Sequence, residues 1–198
     1  MAVGKINGSS VPFAAMNAVN WDNIGAMNGQ TVDHIPPSPV TFYFDVAAGT
    51  GTLWTSQGNA VDGSTGTFSP ADASEFPPKS GPLDLTSNTC PGTNYGTITK
   101  VEMRAYGYEN PSAGIFSFHL IPKFNGTTFG NNYDLDADNL NNDWSTWKDI
   151  TSDGQAPGTW SWTNVADLDA RVDVSFTNPV ETDNYVRIAM VELRVTFT

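Results

Sequence analysis

Cysteine, histidine and cationic side chains are all scarce in this chain. A single cysteine, Cys90, among 198 residues excludes an intrachain disulfide framework and any metal cluster built from several thiolates. Two histidines, His34 and His119, leave little material for imidazole-based acid–base or metal chemistry. Lysine and arginine number 9 against 21 aspartates and glutamates, a formal charge of −12, and the cations stand singly along the chain. Nucleic-acid and anionic-membrane binding both depend on clustered cations, so neither partner is expected. No apolar run approaches the roughly 18–20 residues of a membrane-crossing helix. The start, Met1-Ala2-Val3-Gly4-Lys5, leads directly into Asn, Gly and Ser without the apolar core of a secretory signal.

Asn, Thr, Ser and Gly abound while charged residues make up 15%, a balance that disfavours an all-helical fold because these residue types compete with or weaken helices. An aromatic share of 12% supplies the material for a core and argues against wholesale disorder.

One short phrase occurs three times near the start: Ile6-Asn7-Gly8, Met16-Asn17-Ala18 and Met27-Asn28-Gly29, spaced 10 and 11 residues apart. An apolar residue follows each Asn at the fourth position (Val11, Trp21, Val32), and Ala14 and Ile24 follow the first two at the seventh. Asn-Gly favours tight turns between short extended pieces; Ala18 in the middle copy implies a different turn there. The segment's apolar anchors do not offset the entropy of ordering some thirty residues, so it is expected to fold against a partner. The expected docking residues are Val11, Phe13, Met16, Trp21, Ile24, Met27 and Val32. Pro36, Pro37 and Pro39 make a stiff spacer. The resulting division is an arm over residues 1–35, a linker over 36–39 and a globular domain over 40–198.

The globular part reads as strands. Val40 to Val46 alternates as a half-buried strand does, and Thr97 to Tyr108 places Val101, Met103 and Ala105 on one face. Ile115 to Phe124 groups Phe116, Phe118 and Leu120, with His119 on the opposite face; with the preceding strand it suggests an antiparallel hairpin through residues 109–114. Gly49 to Pro82 is a long Gly-, Ser- and Pro-rich excursion with a short strand at Thr52 to Thr55. Val172, Val174 and Phe176 line one side of a further strand. In the last one, Tyr185 to Phe197, the apolar register changes, which implies either burial on both faces or a bulge near Met190. Thr163 to Leu168 is the one helical turn, with Thr163 as N-cap. The expected fold is all-β: an antiparallel jelly-roll-like β-sandwich preceded by an extended N-terminal repeat arm.

Chemistry is sparse. Asp134-Leu135-Asp136-Ala137-Asp138-Asn139 carries the alternating acids that open an EF-hand calcium loop, but Asn139 stands at the glycine position and Ser145 where the bidentate Glu belongs. Trp144 and Trp147, then Trp160 and Trp162, could stack on sugar rings, yet their spacings of three and two are those of packing residues. Strand-borne acids such as Glu102, Asp173 and Glu192 alternate with apolar residues on faces expected to point outward, and no hydrolase or phosphate-loop motif occurs. The expectation is a protein that is not an enzyme, with no catalytic residues, no cofactor and no metal.

The three Asn phrases resemble the N-terminal anchoring repeats of tailed-bacteriophage virion structural proteins of the head-fibre, decoration and tail-fibre types. The segments Gly158-Thr159-Trp160-Ser161-Trp162-Thr163 to Val172 and Tyr185 to Val195 are similar to the Trp-Thr, then Leu, then strand, then Val-Glu-Val ending of many phage and surface-protein β-sandwiches. Before the Trp, Ser152-Asp153-Gly154-Gln155-Ala156-Pro157-Gly158 stands where such proteins often carry Asn-Pro-Ala-Thr-Gly. Together these segments cover under half of the chain. The resemblance implies a virion location, docking of the arm on capsid or tail proteins, and a homo-oligomer, usually a trimer in fibres of this kind. The alternative expectation is a carbohydrate-binding, host-receptor module of a fibre or adhesin that takes a surface glycan on Trp144 or Trp160; a sandwich-fold polysaccharide hydrolase or lyase comes third.

Overall fold

A computed structural model describes residues 3–6, 9–12, 26–27, 30–31, 38–48, 53–72, 82–109, 115–176 and 185–198. The chain divides into two compact units, Met1–Pro37 and Ser38–Thr198.

In the first unit, strands β1 (Val3–Ile6) and β2 (Ser9–Pro12) pair antiparallel with Ile6 opposite Ser9. Strands β3 (Ala26–Met27) and β4 (Gln30–Thr31) pair the same way with Met27 opposite Gln30. In sequence, Asn7-Gly8 and Asn28-Gly29 separate the paired strands; these two dipeptides lie outside the described residues. The middle phrase, Met16-Asn17-Ala18, lies outside the described residues.

Among the described residues of the second unit, the regular structure is mostly antiparallel sheet with almost no helix. Its strands are β5 (Val40–Ala47), β6 (Ser69–Asp72), β7 (Leu83–Asn88), β8 (Ile98–Glu109), β9 (Ile115–Phe124), β10 (Thr128–Phe129), β11 (Tyr133–Asp134), β12 (Asn141–Trp144), β13 (Lys148–Asp149), β14 (Asp169–Phe176) and β15 (Tyr185–Phe197). The hydrogen-bonded order is β10-β9-β14-β7-β5-β15-β8-β12, with β11 also on β9, β13 on β8 and β6 on β15. Strand β5 joins the two halves. Val40 to Tyr43 pair with β15, after which Phe44, Val46 and Ala47 pair with β7. Phe42 and Phe44 flank the changeover, and both are buried. A single apolar cluster draws Val101, Met103, Val191 and Leu193 from one half and Leu85, Phe118, Leu120 and Val172 from the other, so burial of both halves on common ground holds the unit together.

The hairpin expected between the strands at 98–109 and 115–124 does not form. Strand β8 is paired by β15 on one edge and by β12 and β13 on the other, while β9 lies between β14 and the β10/β11 pair. Both edges of each strand are occupied, so the two segments stand in different halves of the sheet. The final strand does carry a bulge. Its register shifts between Ile188 and Met190, and Ile188, Ala189, Met190 and Val191 are all buried. Opposite it stands Gly107, where a Cβ would come within 2.5 Å of the Arg187 main-chain oxygen. A side chain at Gly107 would thus push the bulge away.

Within the long excursion, Leu53, Trp54, Ala60 and Ala71 belong to the core, so its described part is an ordered cover; the expected strand at 52–55 reduces to one bridge between Trp54 and Ala71. The helix, α1 (Trp162–Ala166), begins two residues earlier than expected. Ser161, not Thr163, is its N-cap: Asn164 N donates to Ser161 Oγ at 3.1 Å, and Ser161 N donates to Asn164 Oδ1 at 3.0 Å. This reciprocal pair satisfies two otherwise orphaned main-chain donors and sets Trp162 as the first helical residue, facing the core.

Candidate functional site

The seven expected docking residues cannot be placed by their contacts. Val11 and Met27 belong to the backbone ladders of β2 and β3. The side chains of these two, and all of Phe13, Met16, Trp21, Ile24 and Val32, lie outside the described residues.

The tryptophans separate into two environments. Trp144 and Trp147 lie on the outer face of β8 and β15. Here the register sets Arg104 opposite Glu192 and Glu102 opposite Arg194. Arg104 donates from Nε to Glu192 at 2.8 Å, Arg194 donates from Nε to Glu102 at 2.8 Å, and Lys100 reaches Glu102 at 2.7 Å. The flat guanidinium of Arg104 lies 3.9 Å from the Trp144 ring centre and 4.2 Å from that of Trp147, and Arg194 is also 4.2 Å from Trp147. A guanidinium can stack its face on an indole while its edge donates to a carboxylate, and the row uses both modes. The row continues through Tyr106, in edge contact with Trp144, to Phe68, Arg187 and Tyr108.

Glu102 is consequently buried, its side chain 5% exposed. Glu102 points outward as its place in the strand implies, but Lys100 and Arg194 cover it there. The reading of Trp144 and Trp147 as packing residues holds, although they pack on arginines outside the sheet.

Trp162 is a core residue. Its ring lies among Phe42, Tyr95 and Phe197, with centre-to-centre distances of 6.5, 4.8 and 5.2 Å, and its Nε1 donates to Gly96 O at 2.8 Å. Trp160 is half-buried, with its edge near Phe124 and Nε1 donating to Thr151 O at 3.0 Å. Part of it borders a largely apolar groove of about 410 Å³ in which Trp160, Trp162 and Ile98 stand beside the small polar side chains of Asn94, Thr97, Thr159, Ser161 and Thr163.

Around the acidic loop, Asp136–Asp138 form a short 3₁₀ turn and Asn139 adopts a left-handed φ of 51°. Asp134 Oδ1 accepts from Asp136 N, while Asp138 pairs with Lys148 at 2.6 Å and accepts from Thr146. Two of the loop's acids are thus engaged in building the turn. Among the described residues no three His, Cys, Asp or Glu side chains converge as a metal cage.

Two features escaped the sequence reading. Strand pairing places His119 between Asp134 of β11 and Asp173 of β14. No side-chain hydrogen bond joins the three among the described residues, and nothing short of the register could have brought them together. The second is Glu109, 4% exposed at the end of β8, whose Oε2 has no hydrogen-bond partner. Burial, followed by the negative fields of Asp136, Asp134 and Asp138, raises its pKa from 4.5 to about 7.

The folded protein therefore keeps this proton up to about pH 7, whereas the unfolded chain releases it near 4.5. Over that window the unfolded state binds fewer protons, so the contribution of Glu109 to stability falls as pH rises and levels off above 7. Urea titrations in metal-free buffer should show the wild type losing stability relative to Glu109→Gln between about pH 4.5 and 7. A constant difference across that range would contradict the assignment.

Cys90 is buried, and desolvation raises its thiol pKa, the opposite of what a nucleophile requires.

No protein-family model, no curated protein and no solved structure matches the chain.

Proposed function

We propose that the protein is a structural component of a phage virion. Residues 1–35 dock on a capsid or tail protein, and the domain beyond the proline spacer, a jelly-roll-like β-sandwich, projects outward. The observation that carries this reading is the pair of antiparallel ladders, β1 with β2 and β3 with β4, whose strands Asn7-Gly8 and Asn28-Gly29 separate in sequence, recurring with the apolar spacing of a segment that presents equivalent anchors to a repeated or extended surface. The self-contained core of residues 38–198 supports the division of labour. In this reading the chain works as a homo-oligomer, a trimer in the fibre arrangement, and carries out no catalysis.

A second reading, host-glycan recognition by the projected domain, is favoured by the Trp160 groove. There an indole beside Asn, Thr and Ser side chains offers a stacking face next to hydroxyl-bonding groups. The test of the principal reading is whether particles incorporate the full chain but not residues 38–198.

A further inference from the structure

Of the tryptophans among the described residues, four are already committed. Trp54 and Trp162 are buried in the core, and Trp144 and Trp147 lie against the guanidinium groups of Arg104 and Arg194. Trp160 remains, half-buried at the groove of about 410 Å³ whose apolar part it shares with Trp162 and Ile98. That volume lies within the roughly 300–1,000 Å³ of small-ligand sites. The indole is held in place by the protein itself: Nε1 donates to Thr151 O at 3.0 Å, and the ring centre lies 6.0 Å from that of Phe124. A ligand stacking on it would therefore pay little to order it.

The polar part of the groove carries no charge. It consists of Asn94, Thr97, Thr159, Ser161 and Thr163, all exposed, and no acid, lysine or arginine lines it among the described residues, in a chain with 21 acids and 9 bases. The hydroxyls of Thr97, Thr159 and Thr163 make no hydrogen bond within the described residues, and Asn94 uses only its side-chain oxygen, which accepts from Gly96 N. Each hydroxyl can donate and accept, and the Asn94 amide nitrogen can donate. The ligand that matches this pattern has an apolar face for the indole, hydroxyls around its edge and no charge. A pyranose ring has all three. A carboxylate brought here would meet no cation and a net charge of −12, which disfavours an acidic sugar. An added peptide strand is disfavoured as well, because Thr97 and Thr198 already exchange both main-chain hydrogen bonds and leave no free edge between them.

We propose that this groove binds an uncharged pyranose of a glycan, its ring stacked on Trp160 and its hydroxyls bonded by Asn94, Thr97, Thr159 and Thr163. The proposal rests on the glycan reading given above and adds the class of sugar and the residues that select it. It is independent of whether residues 1–35 dock on a particle.

The test is saturation-transfer NMR of the full chain with uncharged sugars (the methyl glycosides of glucose, galactose and mannose, and N-acetylglucosamine) and with acidic ones (glucuronate, galacturonate and sialyllactose), followed by titration of tryptophan fluorescence. At least one uncharged sugar should bind, unaffected by added sodium chloride, and the acidic sugars should bind roughly tenfold more weakly or not at all. Trp160→Ala should weaken binding roughly tenfold or more, and Trp160→Phe, which keeps a ring, should retain most of it. Thr159→Val, at an exposed position, should weaken it a few-fold by removing one hydrogen bond. Binding of none of these sugars would overturn the proposal together with the glycan reading. Tighter binding of an acidic sugar, lost in Trp160→Ala, would overturn the assignment of an uncharged ligand and leave the glycan reading standing. Uncharged-sugar binding retained in folded Trp160→Ala would place the site outside the groove and overturn the proposal. If Trp160→Ala does not fold, Thr159→Val decides, and unchanged affinity in that variant counts against the site.

Discussion

Replacing Asn88 by alanine should destabilise the second unit by about 3–5 kcal/mol, near the upper end for a single substitution. Asn88 closes β7 and is 7% exposed. Its amide nitrogen donates to the main-chain oxygens of Val165 at 2.9 Å, Ala166 at 3.3 Å and Leu168 at 3.0 Å, while its side-chain oxygen accepts from Cys90 N at 2.9 Å. A helix end leaves several carbonyls without intrahelical partners, and here one side chain from a distant strand serves three of them around the end of α1. Alanine removes the donor and the acceptor together, so three carbonyls and one N–H each lose a bond at once, although Val165 O still accepts from Leu168 N. Asn88→Asp keeps the acceptor but points a carboxylate at the same three carbonyls, and should be at least as damaging. Urea unfolding followed by tryptophan fluorescence measures both. A loss under about 1 kcal/mol for Asn88→Ala would show that solvent replaces the amide at the end of α1.

Trp162→Ala should cost a similar amount, about 3–5 kcal/mol, through a different mechanism. The indole fills the space between Phe42, Tyr95 and Phe197, rings contributed by β5, the loop before β8 and the end of β15. Its removal leaves a cavity bounded by three rings that cannot all move inward, and strands the Gly96 carbonyl. For a domain of this size that corresponds to a fall in melting temperature of roughly 6–20 °C. Trp160→Ala is the contrasting variant: half-exposed at the groove, it should cost roughly 1 kcal/mol, yet abolish glycan-array binding if the groove is a sugar site. Equal destabilisation by the two substitutions would contradict the different roles assigned to the two rings.

The parts of this fold that were legible in the sequence are those where burial follows the two-residue period. Val101, Met103 and Ala105, or Val172 and Val174, alternate with half-buried partners along β8 and β14 much as their pattern demands, although covered Glu102 breaks the outward series in β8. The change of apolar register in β15 announced its bulge. Pairing was not legible, because alternation specifies which face of a strand is buried and says nothing of its neighbours. The short loop between β8 and β9 suggested a hairpin, and competition from β15 and β14 for the same edges defeated it. The burial of Glu102 was hidden for the same reason: an acid in an alternating strand looks solvated until Arg194 is known to stand opposite. Glu109 and the His119 neighbours Asp134 and Asp173 are likewise products of register.

The central proposal is that residues 1–35 attach the chain to the particle and residues 38–198 do not. Its most direct test is quantitative mass spectrometry of purified particles from cells that supply either the full chain or residues 38–198, with the melting temperature of the shorter chain as a folding control. The account predicts stoichiometric incorporation of the full chain, none of the shorter one, and an unchanged melting temperature. Equal incorporation of a correctly folded 38–198 unit, or absence of the full chain from the particles, would contradict it.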